Sequence, residues 1–273
     1  DPRIAFAAPV SNRVKGFAQV PFGELGRTAA GRATISAELQ SQTGDLLQDT
    51  DSVAGLCLLA GASTLQHIGL FDERFGAGNY EDDDLCLRAR RLGYRIVIVR
   101  SAFLHHEAHQ TFRSLGLDLA EELRKRQADF AAKWRHDDAG SALLAAWQGD
   151  LQGAADAARK AQLTTTHWLD AEWHLGRFLL ESGQPAAAIG HFEAFLRDCP
   201  NHTDAFIQLG ICWLHLDQPK KASEVWQWAE RNCYFAPAQV AMLLANLGRH
   251  AHEKGRWAEA VTHLQGALDI RPD

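Results

Sequence analysis

No apolar run in this sequence approaches the roughly 18 to 20 residues of a membrane-spanning helix. The longest, 53–62 and 94–104, have the length of buried strands. No CxxC pair occurs either. The five Cys (57, 86, 199, 212 and 233) are scattered and odd in number. That argues for reduced, buried thiols in a cytoplasmic protein and against a disulfide frame or a zinc site. Positive charge is not in excess: 28 Lys+Arg stand against 34 Asp+Glu, a formal net charge of −6 with the 13 His neutral. Such a chain lacks the basic face that non-specific nucleic-acid binding needs to neutralise phosphates. The start shows no signal-peptide pattern. The chain opens at Asp1 without Met and ends directly after Pro272, so a piece of a longer protein is expected. The composition itself is that of a globular chain, 46% hydrophobic and 23% charged over 273 residues, enough for about two domains. Disordered tails, collagen-like fibres and small disulfide-stapled toxins are excluded.

Residues 1 to about 112 mix short apolar runs with Gly, Pro and polar stretches, the texture of an α/β domain. Ile4–Phe6, Val53–Leu59 and Tyr94–Val99 read as strands, and Ala102–Leu104 as a second short strand leading to His105-His106. The Gly-, Thr-, Ser- and Gln-rich stretch from Gly23 to Asp51 reads as a long loop with room for one helix. Loops of that length are uncommon in compact domains unless they act as lids or binding loops.

From Leu117 to Asp137 charges alternate with apolar residues at helical spacing, and the rest of the chain carries an internal repeat. Leu175-Gly176, Leu209-Gly210 and Leu247-Gly248 align. Seven residues beyond each glycine stand Gly183, Asp217 and Gly255, then Ala188, Ala222 and Ala260, then Phe192, Trp226 and Leu264. Pro200 and Pro272 close two of the units, and Gly149 with Ala154, Ala158 and Ala161 marks a degenerate unit upstream, at about 140 to 165. Small residues where paired helices touch, a large apolar one filling the gap and a helix-stopping Pro resemble the tetratricopeptide repeat.

The densest chemical signal runs from Phe71 to Arg88, where Gly76 and Gly78 lead into Glu81-Asp82-Asp83-Asp84. Adjacent carboxylates repel unless solvent, a metal or a cation screens them. The helical run 85–92 offers a second explanation, since acids at a helix N-terminus are favoured by capping and the macrodipole. His105, His106 and His109, with Glu107 between them, could ligate a metal or could be exposed loop histidines.

Gly55–Leu59, Ile68–Phe75, Gly78–Arg88, Gly93-Tyr94, His106 and Thr111-Phe112 together resemble family-2 glycosyltransferases of the GT-A fold. Pro9–Asn12 and Phe130–Trp134 are similar to bacterial members that carry helical repeats. The resemblance implies that Asp82 is the catalytic base of an inverting transfer, with Glu81 and Asp84 beside it. It further implies that His106, or its neighbour His105, completes a divalent-cation site for Mn or Mg, and that Gly55, Asn79 and Tyr80 lie on the acceptor side. The base would deprotonate an acceptor hydroxyl for attack on a nucleotide-sugar, while the cation stabilises the leaving diphosphate. The family's Asp-x-Asp motif after a strand is not found, so the resemblance covers the acceptor-side half only.

The expected organisation is α/β, a partial GT-A glycosyltransferase domain, followed by an all-α tetratricopeptide-repeat solenoid. The acceptor-side half would span 1–115, a helical connector 116–139 and the repeat array 140–273. The function implied is transfer of sugar from a nucleotide-sugar to a glycan or protein hydroxyl, with a protein partner docked on the repeats. The alternative is a non-catalytic interaction protein with a degenerate transferase half; a metal-dependent hydrolase is a third reading, disfavoured because such enzymes gather their ligands into a closed constellation.

Overall fold

The structure, a computed structural model, describes residues 1–12, 18–20, 24–76, 78–107, 114–164, 168–235 and 237–270. The chain is mostly helical with one small sheet, and divides into two compact units, Asp1–Leu175 and Gly176–Asp273.

In the first unit, β1 (Ile4–Ser11), β2 (Leu47–Thr50), β3 (Leu59–Ala60) and β4 (Arg95–Leu104) form a sheet of order β2-β4-β1-β3. The central pair β1–β4 is parallel and the two edge pairings are antiparallel. Ile96, Val97 and Ile98 are all buried, so both faces of β4 are covered, as in parallel sheets. Arg95–Leu104 is a single strand, not two. Its break in register falls where Pro9 pairs with Val99 and Val10 already pairs with Phe103. Pro9 has no N–H to give the ladder, and a bulge is where a strand tolerates that.

The stretch 23–51, expected as a long loop with room for one helix, contains that helix, α1 (Ala29–Thr43), and also β2. Thr28 caps α1 by accepting from Gly31 N, and Gly31, Ile35 and Leu39 form its thin buried stripe. β2 escapes a hydrophobicity reading because its buried residues are Gln48, Asp49 and Thr50. Asp49 is held there by Arg95, whose Nε and Nη2 donate to its two oxygens at 2.8 and 2.9 Å. Conversely, Val53–Leu59 is not a strand; only Leu59 and Ala60 pair, with Ala7 and Phe6. Among the remaining helices of this unit are α2 (Ala62–Ile68), α3 (Glu81–Arg91), α4 (Leu119–Trp134), α5 (Asp138–Trp147) and α6 (Leu151–Thr164). The pair α5–α6 turns at Gly149 and buries Ala154, Ala158 and Ala161, as the degenerate upstream repeat requires. The unit ends inside α7 (Asp170–Glu181).

The second unit continues with α8 (Pro185–Asp198), α9 (Thr203–His215), α10 (Pro219–Asn232), α11 (Pro237–Glu253) and α12 (Trp257–Ile270). Its repeat seams are those of the sequence. A Cβ on Gly176 would lie 2.8 Å from the Phe192 ring and one on Gly248 2.7 Å from Leu264, while one on Gly210 would enter the indole of Trp226. Ala188, Ala222 and Ala260 are buried beside them. The three intra-pair turns sit at Gly183, Asp217 and Gly255, all with positive φ (73°, 57° and 69°). Asp217 tolerates this conformation for a residue with a Cβ while accepting from His250 at 3.1 Å and Lys254 at 3.2 Å. Pro185 and Pro219 open α8 and α10, where a missing N–H is harmless. Helical repeats of tetratricopeptide type are therefore present. Pro272 lies outside the described residues.

Candidate functional site

Glu81, Asp82, Asp83 and Asp84 form the first turn of α3, entered through Asn79 and Tyr80 in left-handed conformation (φ 72° and 68°). The four acids have separate surroundings. Asp84 is fully buried: Arg88 Nε donates to it at 3.0 Å, Trp134 Nε1 at 2.8 Å, and Lys133 Nζ lies 2.6 Å away. Every one of those cations and donors comes from α3 itself or from α4. Asp82 accepts from Gly55 N at 2.9 Å through one oxygen and from Asp83 N at 3.0 Å through the other. It pins the turn at residues 51–58 onto the start of α3.

Glu81 differs. Its Oε2 is buried without a hydrogen bond, and burial, reinforced by the charge of Asp82, raises its pKa above the ordinary carboxylate value. Asn79 Nδ2 is likewise buried and unpartnered. Tyr80 packs on Phe130 and Trp147, with ring centroids 5.8 and 6.0 Å apart, and its pKa is raised by burial and by Asp83.

Helix α4 organises this loop, a role that sequence reasoning missed. Lys133 also bonds Asp72 at 2.7 Å. Burial works against the Asp72 charge, but hydrogen bonds from Lys133 and Arg74 outweigh it and hold the carboxyl at about 2. Arg126 donates to the Arg74 carbonyl at 3.0 Å while pairing with Glu122 and Asp129. The available signal is the spacing of Arg126, Lys133 and Trp134 on one helix, with Trp134 50 residues downstream of Asp84. A third fixed contact was also unforeseen: Arg90, fully buried, grips Asp170 at the start of α7, and Leu169 N donates to its carbonyl.

His105 Nε2 meets Glu107 at 3.0 Å. His106 is bracketed through its backbone by Asn12, whose Oδ1 accepts from His106 N at 2.7 Å and whose Nδ2 donates to its carbonyl. Among the described residues no group of three His, Cys, Asp or Glu side chains is placed to hold a metal ion. His109, Thr111 and Phe112 lie outside the described residues. Among the described residues, no helix is long and apolar enough to cross a membrane.

No protein-family model matches the chain, and no curated protein matches it. Among solved structures it is similar to YrrB, described as a TPR protein with an unusual peptide-binding site. That match has 21% identity and a TM-score of 0.43, covering 56% of this chain and 75% of the other. It is also similar to MamA, at 16% identity and a TM-score of 0.42, covering 62% and 97%. The expectation of an inverting glycosyltransferase is corrected on these findings. The motif run 68–88 brings no match to a glycosyltransferase family or curated protein, and YrrB is described as a TPR protein. Asp84 is engaged by Arg88, Lys133 and Trp134, and Asp82 by the N–H groups of Gly55 and Asp83. The small sheet, likewise, is not evidence of a GT-A domain.

Proposed function

We propose that the chain is a non-catalytic interaction protein of the tetratricopeptide type, whose second unit binds an extended peptide segment of a protein partner. The observation that carries this reading is the division of labour within α9 and α11. In α9, Asp204, Gln208, Ile211 and His215, at i, i+4, i+7 and i+11, form one incompletely buried strip, with Ile211 also touching the core. In α11 the corresponding strip is Met242, Asn246 and Arg249, and Gln239 Nε2 reaches Asp204 to join the two helices. Each strip mixes an apolar side chain with hydrogen-bonding and charged neighbours. That combination suits a peptide: apolar contact supplies burial and the polar groups fix its register. Stacked helix pairs commonly present such extended binding surfaces. The net charge of −6 disfavours a nucleic acid as the ligand.

The test is selection of a displayed random-peptide library on the full chain, repeated with Ile211→Glu and with Met242→Glu. Enrichment of a recurrent motif, with synthetic-peptide affinity lost at least tenfold in either variant, supports the reading. No enriched motif, or a motif bound equally by both variants, overturns it.

A further inference from the structure

The strips of α9 and α11 match level by level through the Gly210–Gly248 alignment. Gln208 stands where α11 has Asn246, and Ile211 stands where it has Arg249. The two helices are neighbours: Ile207 and Leu243 share one core cluster, and Gln239 Nε2 donates to Asp204 at 3.3 Å. One level therefore carries a carboxamide on each helix. The next, one turn on, carries an aliphatic side chain on α9 and a guanidinium on α11.

The fold leaves much of this polar capacity unspent. Among the described residues the Gln208 carboxamide makes no hydrogen bond, although it is not sealed from solvent. Asn246 accepts from Arg249 through Oδ1, and its Nδ2 donates to no described residue. Arg249 is exposed and meets no carboxylate among the described residues. Even Glu253, one turn further along α11, does not pair with it.

A carboxamide offers a donor and an acceptor, the same two functions that each residue of an extended main chain presents. Two of them at one level can hold a peptide backbone whatever its side chains. Packed helix axes lie roughly 8 to 10 Å apart. A polyproline II segment, whose backbone has no internal hydrogen bonds, rises about 9 Å over three residues and brings residues i and i+3 to the same face. Such a segment crossing α9 and α11 would set one side chain over Ile211 and, three residues along, another over Arg249.

We infer that the partner segment is an acidic peptide of the pattern apolar-x-x-Asp/Glu. Ile211 receives its apolar side chain, Arg249 pairs with its carboxylate, and Gln208 and Asn246 hold its main chain. Guanidinium and carboxylate match as a two-bonded fork, so one acid suffices to fix the register. Glu253 beside Arg249 selects against a run of acids. This inference rests on the peptide-binding reading of the two strips and gives the ligand its chemistry.

The test is the displayed random-peptide selection on the full chain, followed by titration of a synthetic peptide from the enriched pool. The pool should carry an apolar residue with Asp or Glu three positions away. Replacing that acid by Lys in the peptide should cost at least tenfold in affinity. The Arg249→Glu chain should recover at least tenfold for the Lys peptide while losing as much for the acidic one, a reversal that a structural role of Arg249 would not produce. Gln208→Ala should weaken both peptides by a similar factor, and an unchanged affinity overturns the main-chain contact. An enriched motif without an acid at that spacing, or an acidic preference retained by Arg249→Glu, overturns this inference and leaves the peptide reading standing. A selection that enriches no motif overturns that reading and this inference with it.

Discussion

The indole of Trp134 donates to the same oxygen of Asp84 that Lys133 approaches at 2.6 Å, so two successive residues of α4 converge on one buried carboxylate of α3. Arg88 takes the other oxygen. This cluster fastens the acidic loop to the helix that precedes the first helix pair.

Replacing Asp84 by Asn keeps a hydrogen-bond acceptor for Trp134 but removes the buried counter-charge of Arg88 and leaves Lys133 with Asp72 alone. Unpairing a buried charge is strongly unfavourable. Urea unfolding monitored by circular dichroism should show a loss of about 2 to 4 kcal/mol. A loss under about 0.5 kcal/mol, the scale of an ordinary surface substitution, would show that the cluster does not hold the loop.

Two glycines in the second unit should respond in opposite directions. Gly210 lies under the Trp226 indole, whose Nε1 donates to the Phe206 carbonyl at 3.0 Å and cannot shift freely. Gly210→Leu should therefore overpack the seam and destabilise by about 3 kcal/mol. Gly190 is exposed in the middle of α8, with open space where a Cβ would go. Gly190→Ala should stabilise by about 0.5 to 1 kcal/mol, through higher helix propensity and a less flexible unfolded chain. Thermal melts of the two variants give the comparison directly.

Glu81 should be a site where neutralisation helps. Its folded pKa is raised by burial and by Asp82, so the folded state favours the protonated form. The penalty is absent at pH values below the ordinary carboxylate pKa and grows as pH rises through it. Glu81→Gln mimics the protonated group, and should stabilise at pH 7 by about 0.5 kcal/mol after allowance for solvent screening. The advantage should vanish near pH 3. A variant less stable than the natural chain at pH 7 would mean that the carboxylate is engaged after all.

The repeats are legible in the sequence because their signal is local and steric. A glycine, an alanine and a large apolar residue within 16 positions state that two helices touch, and Gly176–Phe192 and Gly210–Trp226 do so where the spacing requires. The acidic run is harder. Four adjacent carboxylates state a charge problem but not its solution, and the solution at Asp84 comes from Lys133 and from Trp134, 50 residues away. β2 is hidden for a related reason: Gln48 and Asp49 read as loop, and only the distant Arg95 makes the burial of Asp49 tolerable. The ring of His106 draws attention in the sequence, whereas the contact that fixes the residue runs through its backbone to Asn12. Side chains whose partners lie far off in sequence carry little recoverable signal without the fold.

The grip of Arg90 on Asp170 also has a kinetic meaning. The two residues are 80 positions apart, so the first unit cannot complete its buried ion pair until almost all of that unit has been synthesised. Closing so large a loop carries a greater entropy cost than joining the neighbouring helices of the second unit, where Gly210 and Trp226 are 16 positions apart. The short-range helix pairs of the second unit, emerging after the first, are built to form faster.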